Sequence, residues 1–328
     1  MLHFVRWCSI ACALAGLAAP AQAQATYPDR PVRFMIAFPP GGATDTFFRV
    51  ISPELGTALG GSIVIENKGG AGGYLAWQEV ARSPADGYTV LVAENALGIN
   101  QALFKKHPSG FNPLRDYDAV GAMANTPLVW TVANNVPANN FKEFVAWSKT
   151  PNANFTYGHA GPGSVSHLVP EVIIDGAALK ALPVPFKGGG PAAQAVAGGH
   201  VSVVASSLAV AKGQGDGKLV KNMFVTSKKR SLAMPDVPAL SELGYKFADV
   251  DMEFWWGLFV PKGVPEPIRA KLEKALQDTM ANPAVRERLL KVGNDPSFGT
   301  GAALRAKLEN EINNWSKFID AKGIKVEQ

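Results

Sequence analysis

The sequence FPPGGATD occupies residues 38–45, and a second glycine-rich sequence, NKGGAGG, occupies residues 67–73. Each follows a short apolar run, at residues 32–38 and 62–66, and each leads into a segment with helical spacing of apolar residues, which predicts strand, turn and helix twice. Two helix N-termini then face one cleft, where free N–H groups and helix dipoles favour an anion such as a carboxylate. Glycine lets the backbone approach that ligand without an intervening Cβ.

The first 23 residues have the pattern of a secretory signal peptide. Arg6 precedes an apolar stretch at residues 7–19, and Ala21-Gln22-Ala23 forms a small-residue cleavage site before Gln24. The apolar stretch is too short for a membrane-spanning helix, and no later stretch has the roughly 18 to 20 continuous apolar residues that a span needs. We expect an exported protein.

Cysteine content and charge exclude several classes of function. Both cysteines, Cys8 and Cys12, lie in the predicted signal peptide, so the mature chain is expected to have no disulfide, thiol nucleophile or cysteine-ligated metal. The formal net charge is +5, spread along the chain. The basic run at residues 228–230 is short and lacks interleaved aromatic residues, which indicates a solvated loop and no nucleic-acid partner.

The length of the chain and the order of its predicted elements indicate an α/β protein of two lobes. Strand-like runs alternate with helical segments and predict largely parallel sheets; the runs lie at residues 89–92, 119–122, 129–133, 155–158, 182–185, 201–205, 219–225 and 254–260. Three amphipathic helices, with no strand between them, are predicted at residues 267–280, 283–292 and 302–321, packing across the first lobe. Turn-rich residues 125–127 and 248–250 bracket the second lobe, so the predicted division is residues 24–125 plus 250–328 for lobe 1 and 126–249 for lobe 2.

Several motifs in a fixed order resemble the Bug-type solute receptors of tripartite tricarboxylate transporters. They are YPDRPVRFMIAFPPGGATD, ENKGGAGG, SPADGYTVLVA, YGHAGPGSVSHL, VPFKGGGPA, MPDVPALSELGY and FWWGLFVPKGVP, and they cover nearly all of the chain after residue 23. The resemblance implies a periplasmic-binding-protein fold of type II, in which two α/β lobes close on an organic acid and a helical C-terminal tail lies on the first lobe. It also implies a periplasmic monomer, two membrane partners (the large and small subunits of a tripartite transporter), no cofactor and no catalytic or metal site.

Together the residues and the resemblance predict a ligand site shared by both lobes. The two glycine turns would hold one carboxylate, partly through bridging water, and the second lobe would bind the rest of the ligand. The predicted site residues are Phe38, Gly41, Gly42, Thr44, Asp45, Gly70, Ala71, Gly72, Gly73, Tyr74, Asn95, His159, Ala160, Ser164, Gly188 and Ser206.

Some of these residues have more than one interpretation. Asp45 lies in the first turn of a predicted helix, where a carboxylate either compensates the dipole and caps the helix or fixes pocket waters. Ser164 and Ser166 begin the next helix; one would cap it, and Ser164 would offer its hydroxyl to the ligand. His167, one turn further on, is expected to pack within its own lobe.

Two positions depart from the family's pattern and bear on the ligand. His159 stands where a small hydroxyl residue is more usual, and Ser206-Ser207 stand where many relatives carry Asp. Loss of an acid and gain of a side chain that can become cationic favour a second anionic or strongly accepting group on the ligand.

Aromatic residues follow both glycine turns, and a cleft wall lined by their rings would suit an aromatic acid as ligand. Phe48 and Trp77 have the spacing of core residues, whereas Tyr74 directly follows the last glycine of its turn and is predicted to contact the ligand.

Two other functions are less consistent with the sequence or indistinguishable from uptake. An enzyme lacks support, because the sequence has no HExxH, GxSxG or GxxxxGK[ST] motif, and an acid/base hydrolase would depend on Asp45 and His159 alone. A receptor that signals to a sensor kinase would have the same sequence features as one that serves uptake.

Overall fold

The computed structural model describes residues 27–104 and 110–324, so the predicted signal peptide lies outside the described residues. The strands β1 to β10 are Val32–Ile36, Ile63–Asn67, Thr89–Glu94, Tyr117–Ala133, Thr156–His159, Leu182–Pro185, Val203–Ser207, Val220–Val225, Glu253–Pro261 and Pro296–Thr300. The helices α1 to α11 are Ala43–Leu59, Tyr74–Arg82, Ala96–Leu103, Pro113–Asp116, Phe141–Ser148, Val165–Gly176, Gly189–Ala197, Leu208–Asp216, Glu266–Ala281, Pro283–Lys291 and Gly301–Lys322.

The first strand, turn and helix form as the sequence predicts. Helix α1 begins after Gly42 and ends at Gly60, whose φ of 77° is the left-handed conformation that glycine adopts at little cost. Its buried face is made by apolar side chains three or four residues apart: Phe47, Phe48, Ile51, Leu55 and Leu59. The same prediction is confirmed for β2 and α2, which are joined by a 3-10 turn at Ala71–Gly73.

The sheet is parallel at its two outer parts and antiparallel in the middle. Its strand order is β2-β1-β3-β9-β4-β7-β5-β6, and β8 and β10 also pair with β4. β2-β1-β3 and β6-β5-β7 are parallel, whereas β9 runs antiparallel to both β3 and β4. The prediction of largely parallel sheets is therefore correct only for the two outer groups of strands.

The prediction of a turn at residues 125–127 is wrong. These residues lie inside β4, a 17-residue strand that runs through both halves of the sheet. Pro127 is paired with Glu253 on the last rung between β4 and β9, and from Leu128 onward β4 pairs with β7 and β8 instead. A proline lacks the N–H that a ladder requires, and it is tolerated here because one set of partner strands ends at this position.

The C-terminal segment contains a strand that the sequence did not predict. Strand β10 lies between α10 and α11 and pairs with residues 121–124 of β4. Its sequence PSFGT has no apolar alternation, so it has no local strand signal. Gly121 and Gly299 allow the close approach, because a Cβ on Gly121 would lie 3.0 Å from the carbonyl oxygen of Gly299.

The three predicted C-terminal helices are present as α9, α10 and α11. Helices α9 and α10 pack on α1, and α11 packs on α3 and β4. The end of α11 also inserts Trp315 and Phe318 into the hydrophobic core that surrounds Trp130 and Tyr157. The last helix therefore joins the packing of both halves of the sheet. Over residues 27–104 and 110–324, no helix combines the length and apolar character needed to cross a bilayer.

Candidate functional site

The strand register places the carboxyl ends of the two parallel groups opposite each other. Glu94, at the end of β3, is level with Trp256 of β9, which pairs with Ala124 of β4. Ser207, at the end of β7, pairs with Leu128 of β4, and β7 runs in the opposite direction to β3, so the ends of the two strands face each other. Four residues of extended strand span about 13 Å, so a gap of this order separates the two groups along β4. We call this gap the cleft.

Six helices begin where these parallel strands end. Helices α1, α2 and α3 follow β1, β2 and β3, and helices α6, α7 and α8 follow β5, β6 and β7. Their N-termini carry partial positive charge, and their first amides have no partner within the helix. In α1 the first intrahelical bond is donated by the Thr46 N–H to the Gly42 carbonyl at 2.9 Å, so the amides of residues 43–45 precede it. These helix starts therefore offer free amides and partial positive charge at the edge of the cleft.

Asp45 holds the first glycine turn in place. Its Oδ2 accepts hydrogen bonds from the Gly41 N–H at 2.8 Å and from the Arg49 Nε at 2.9 Å. The bond from Arg49 lowers the pKa of Asp45 despite burial, so this side chain stays a carboxylate. Its Oδ1 is buried and accepts no hydrogen bond of standard geometry, although the Asn67 side chain lies near enough to Asp45 to help lower its pKa. Asp45 therefore fixes the turn and keeps one acceptor oxygen for a donor such as water.

Thr44 connects the start of α1 to the middle of the sheet. The Thr44 hydroxyl donates to Oε2 of Glu94 and accepts a bond of 3.0 Å from the indole N–H of Trp256. Its side chain is consequently used within the protein, and only its backbone amide belongs to the helix N-terminus. The sequence pattern predicted Thr44 as a site residue but not Glu94, although a polar residue at the end of a buried strand marks the edge where ligands bind in α/β sheets.

The second glycine turn has an unusual backbone. Gly70, Ala71, Gly72 and Gly73 all have positive φ values, of 128°, 47°, 63° and 106°. A positive φ at alanine costs on the order of 1 to 3 kcal/mol and is typical of ligand clamps. A Cβ on Gly73 would lie 2.6 Å from the Trp77 ring, whereas a Cβ on Gly72 would meet no atom within 4 Å. Gly73 is thus required for packing, and the space beside Gly72 is open.

The two glycine turns are tied to each other and to a core below them. Asn67 donates its side-chain N–H to the carbonyl of Phe38 at 3.0 Å. Tyr74, predicted to contact the ligand, is only 4% exposed, and its ring packs against Trp77 and Phe111. Its ring forms part of the core beneath the turn, because Gly73 leaves room for Trp77 there. Phe48 and Trp77 are core residues as predicted.

Asn95 is completely buried at the start of α3. Its side-chain N–H donates to the Glu253 carbonyl at 3.3 Å, and its Oδ1 has no partner among the described residues. Asn95 therefore joins the end of β3 to β9 where the latter enters the sheet.

On the opposite side of the cleft, His159 packs under the start of α6. Its ring lies 4.6 Å from the ring of His167 and 5.8 Å from that of Tyr157. Burial lowers the pKa of His159, and burial together with His159 lowers the pKa of His167 to about 4. These shifts favour neutral rings near pH 7 in the ligand-free protein, so His159 becoming cationic beside an anionic ligand stays a prediction. His159 Nδ1 is buried and has no hydrogen-bond partner in the described structure.

The turn before α6 is held by serine side chains. Ser164 stands at the N-cap position, but its hydroxyl donates to the Gly161 carbonyl at 2.7 Å and caps no helix amide. Ser166 accepts from the Ala160 N–H at 2.9 Å. The two hydroxyl oxygens are 3.2 Å apart. Neither serine therefore caps α6 with its side chain, contrary to the prediction for one of them.

Gly188 and Ser206 complete the second side. Gly188 has a φ of 134° and directly precedes α7. Ser206 is 4% exposed near the end of β7, opposite Val129, and its hydroxyl has no partner among the described residues. The strands and helix starts thus place the predicted residues on the two sides of one cleft, with Tyr74 below it. The described residues contain no group of three His, Cys, Asp or Glu side chains that could hold a metal ion.

Comparison with known proteins gives consistent matches over most of the chain. A sequence model described as the tripartite tricarboxylate transporter family receptor matches residues 47–324. A UPF0065 protein from the TAR-I ttuE-ttuC' intergenic region of Agrobacterium vitis is 33% identical, covering 92% of this chain and 87% of that protein. Protein BugT of Bordetella pertussis is 31% identical, covering 96% and 95%.

Three solved structures share the fold. The periplasmic binding protein BugD has a TM-score of 0.77 and 30% identity, covering 92% of this chain and 100% of that one. MatC from Rhodopseudomonas palustris with bound malate has a TM-score of 0.75 and 31% identity, covering 89% and 100%. An R. palustris protein with adipate has a TM-score of 0.81 and 26% identity, covering 91% and 99%. The predicted fold class, an α/β periplasmic-binding-protein fold, is confirmed.

Proposed function

This chain belongs to the tripartite tricarboxylate transporter receptor family of Bug-type solute-binding proteins, and on that premise we propose that it captures a small organic acid and delivers it to a membrane transporter. The ligand would lie in the cleft between lobe 1, residues 24–125 plus 250–328, and lobe 2, residues 126–249. Closure of the lobes would follow from a population shift, since a ligand that touches both lobes favours the closed form.

One observation carries this proposal: buried polar atoms without partners occur on both sides of the cleft. They are Asp45 Oδ1 and Asn95 Oδ1 on the first side and His159 Nδ1 and Ser206 Oγ on the second. Buried polar atoms in folded proteins nearly always have hydrogen-bond partners. Seven other buried atoms of the described residues also have none, among them Trp130 Nε1 and Trp315 Nε1 in the core, so it is the grouping of these four at the strand ends that points to a ligand or its waters. Their occurrence at the ends of both groups of parallel strands supports a ligand held between the two groups.

The chemistry of the first side favours a carboxylate. The start of α1 offers amides and a positive dipole, and the open space beside Gly72 admits a ligand close to the backbone. Water molecules held by Asp45 Oδ1 would bridge to the ligand carboxylate, so that the carboxylates of Asp45 and of the ligand do not contact each other directly. The second side offers neutral polar groups, from His159 and Ser206, that suit a hydroxyl, a second carboxyl or an aromatic substituent.

The similar structures support the ligand class. Malate is bound in one and adipate in another, and both molecules are dicarboxylates. We propose the periplasm as the location, a monomer as the working state and the large and small membrane subunits as partners. A loaded receptor that docks on a sensor kinase would use the same cleft, and deletion of the membrane subunits distinguishes the two roles, because only uptake requires them.

Hydrolysis by Asp45 and His159 is disfavoured by the electrostatics. Arg49 keeps Asp45 ionised and its Oδ2 is committed to the turn, so it has no proton to give as an acid. His159 is buried against His167 and is no more basic than a free imidazole.

The experiment is a binding screen by isothermal titration calorimetry with acetate, benzoate, malate, adipate and citrate. The matched neutral compounds are the corresponding amides. We expect at least one acid to bind and to raise the melting temperature with concentration, and its amide to fail at both. Equal binding of acid and amide would show that no carboxylate is recognised, and the absence of binding by every acid would overturn the proposed function.

A further inference from the structure

Glu94 is a carboxyl group at the cleft for which the proposed function has no use. It is the last residue of β3, level with Trp256 in the sheet; the residue as a whole is half-buried, and its carboxyl group lies buried at the start of α1. Its Oε2 accepts the hydroxyl proton of Thr44, and that hydroxyl oxygen in turn accepts from Trp256. Because Thr44 has one hydroxyl proton, this pair of residues has no further donor for Oε1 of Glu94.

No positive charge compensates Glu94 in the described structure. The elements that pack against β3 are β1, β9, α1, α2 and α3, and α3 has no charged residue. Asp45 is paired with Arg49, Glu54 with Arg288, and Glu79 with Arg33 and Lys68. The remaining titratable groups on these elements are Tyr74, Arg82 and Glu253, and the Tyr74 hydroxyl is directed to the Asn100 carbonyl at 3.4 Å.

The energetic consequence is that ionised Glu94 is disfavoured. Burial raises the pKa of Glu94 to about 7, and the bond from Thr44 offsets this only in part. A ligand carboxylate placed at the start of α1 adds a second negative charge beside it. Two carboxylates that share a site cannot both remain ionised without repulsion, whereas a carboxylic acid can donate a strong hydrogen bond to a carboxylate.

We propose that Glu94 determines the charge state in which the cleft accepts its ligand: it takes up one proton from solvent as an anionic ligand binds, and its O–H then donates to the ligand carboxylate or to the water that bridges to it. This inference rests on the proposed function. No covalent bond of the ligand is made or broken, and the proton returns to solvent when the ligand leaves.

The proposal predicts a definite proton count. With a free pKa near 7, close to one proton is taken up per ligand at pH 8 and almost none at pH 5.5, where Glu94 is already protonated. The dissociation constant should then rise up to about tenfold for each pH unit above 7. Glu253 is the competing source of such an effect, because burial also raises its pKa to about 7.

The experiment is calorimetry of the mature chain at pH 8.0 in triethanolamine and in Tris, neither of which is an anion. The probe is the tightest-binding member of the acetate, benzoate, malate, adipate and citrate panel. The slope of the observed binding enthalpy against the ionisation enthalpy of the buffer gives the number of protons that the protein takes up as the ligand binds. We expect about one proton for the wild-type chain and for Glu253→Gln, and none for Glu94→Gln, whose binding should be independent of pH.

The outcomes separate this inference from the proposed function. Binding without proton uptake by the wild-type chain, or uptake that persists in Glu94→Gln and disappears in Glu253→Gln, would overturn the role of Glu94 and leave an acid receptor. Failure of every acid to bind would overturn the proposed function itself. Glu94→Thr is the second variant if Glu94→Gln does not fold, and the change in proton count between pH 5.5 and 8.0 tests the wild-type chain without any substitution.

Discussion

The indole N–H of Trp256 donates a hydrogen bond of 3.0 Å to the hydroxyl of Thr44, which lies 212 residues earlier in the chain. This bond joins the start of α1, beside the cleft, to β9 in the antiparallel middle of the sheet. The same hydroxyl donates to Glu94 at the end of β3, the strand that pairs with β9. The start of α1, on the first side of the cleft, is thus fixed to β9, which pairs with β4, the strand that continues to the second side.

Thr44→Val should destabilise the protein. It leaves the Trp256 N–H and the Glu94 carboxyl without their shared partner, and a buried unsatisfied group costs about 1 to 3 kcal/mol. Thr46→Val is the matched control, because Thr46 is exposed and makes only a 3.5 Å bond to the Gly41 carbonyl. Urea denaturation should show the loss in Thr44→Val alone; equal free energies of unfolding for both variants would contradict the importance of this contact.

Gly72→Phe should abolish carboxylate binding in a folded protein. The side chain would enter the open space beside the turn, and the φ of 63° would add strain of about 1 to 2 kcal/mol. Gly60→Phe has comparable strain, since Gly60 has a φ of 77° and equally open surroundings at the far end of α1. Melting curves should show similar losses for the two variants, and calorimetry should show lost binding only for Gly72→Phe. Normal affinity in folded Gly72→Phe would place the ligand elsewhere.

Ser206→Ala should weaken binding without weakening the fold. The hydroxyl has no partner in the described structure, so its removal costs the folded state nothing, whereas one lost ligand bond reduces affinity about 3- to 10-fold. Ser202→Ala is the reverse case on the same segment: its hydroxyl donates to the Asn154 carbonyl at 3.1 Å and accepts from Thr156. Calorimetry should show weaker binding for Ser206→Ala with an unchanged melting temperature. Ser202→Ala should show a lower melting temperature with unchanged binding. An unchanged affinity in Ser206→Ala would remove Ser206 from the site.

The carboxyl groups with raised pKa values should each make the ligand-free protein less stable as the pH rises from about 4.5 towards 7, whereas the lowered pKa of His167 acts in the opposite direction below about 6.5. Burial raises the pKa of Glu94 and Glu253 to about 7 and that of Glu311 well above its usual range. For a raised carboxyl pKa, the folded state keeps protons that the unfolded chain has already released, so stability is complete at low pH and is lost as the pH rises through the folded pKa.

Glu311→Gln tests this dependence most directly. Both carboxyl oxygens of Glu311 lie 3.1 Å from the Trp255 Nε1, and the residue is 2% exposed on α11. Its replacement should raise the melting temperature by several degrees at pH 8 relative to the wild type and change it little at pH 5. The exposed neighbour Glu309→Gln should have no effect at either pH. A Glu311→Gln variant that is destabilised equally at both values would show that Glu311 acts through packing and not through its charge.

The parts of the fold that follow from local sequence were predictable. The glycine turns, α1 and its buried face depend on neighbouring residues, because left-handed φ angles and a helical apolar period are local properties. The position of the cleft also followed, since the carboxyl ends of parallel strands and the helix N-termini after them coincide in any such arrangement. Asp45 and Gly72 were predicted as site residues on this basis, whereas Ser206 was predicted from the family resemblance.

Tertiary contacts decided the rest. Strand β4 continues through Pro127 because its partner strands change there, and β10 forms because a distant strand is available to pair with it. Thr44 and Trp256 meet across 212 residues, burial raises the pKa of Glu94 to about 7, and burial beside His159 lowers the pKa of His167 to about 4. The sequence alone predicted an anion site at the glycine turns and helix starts. Only the folded structure decided which side chains are charged there, because desolvation depends on every residue that packs around them.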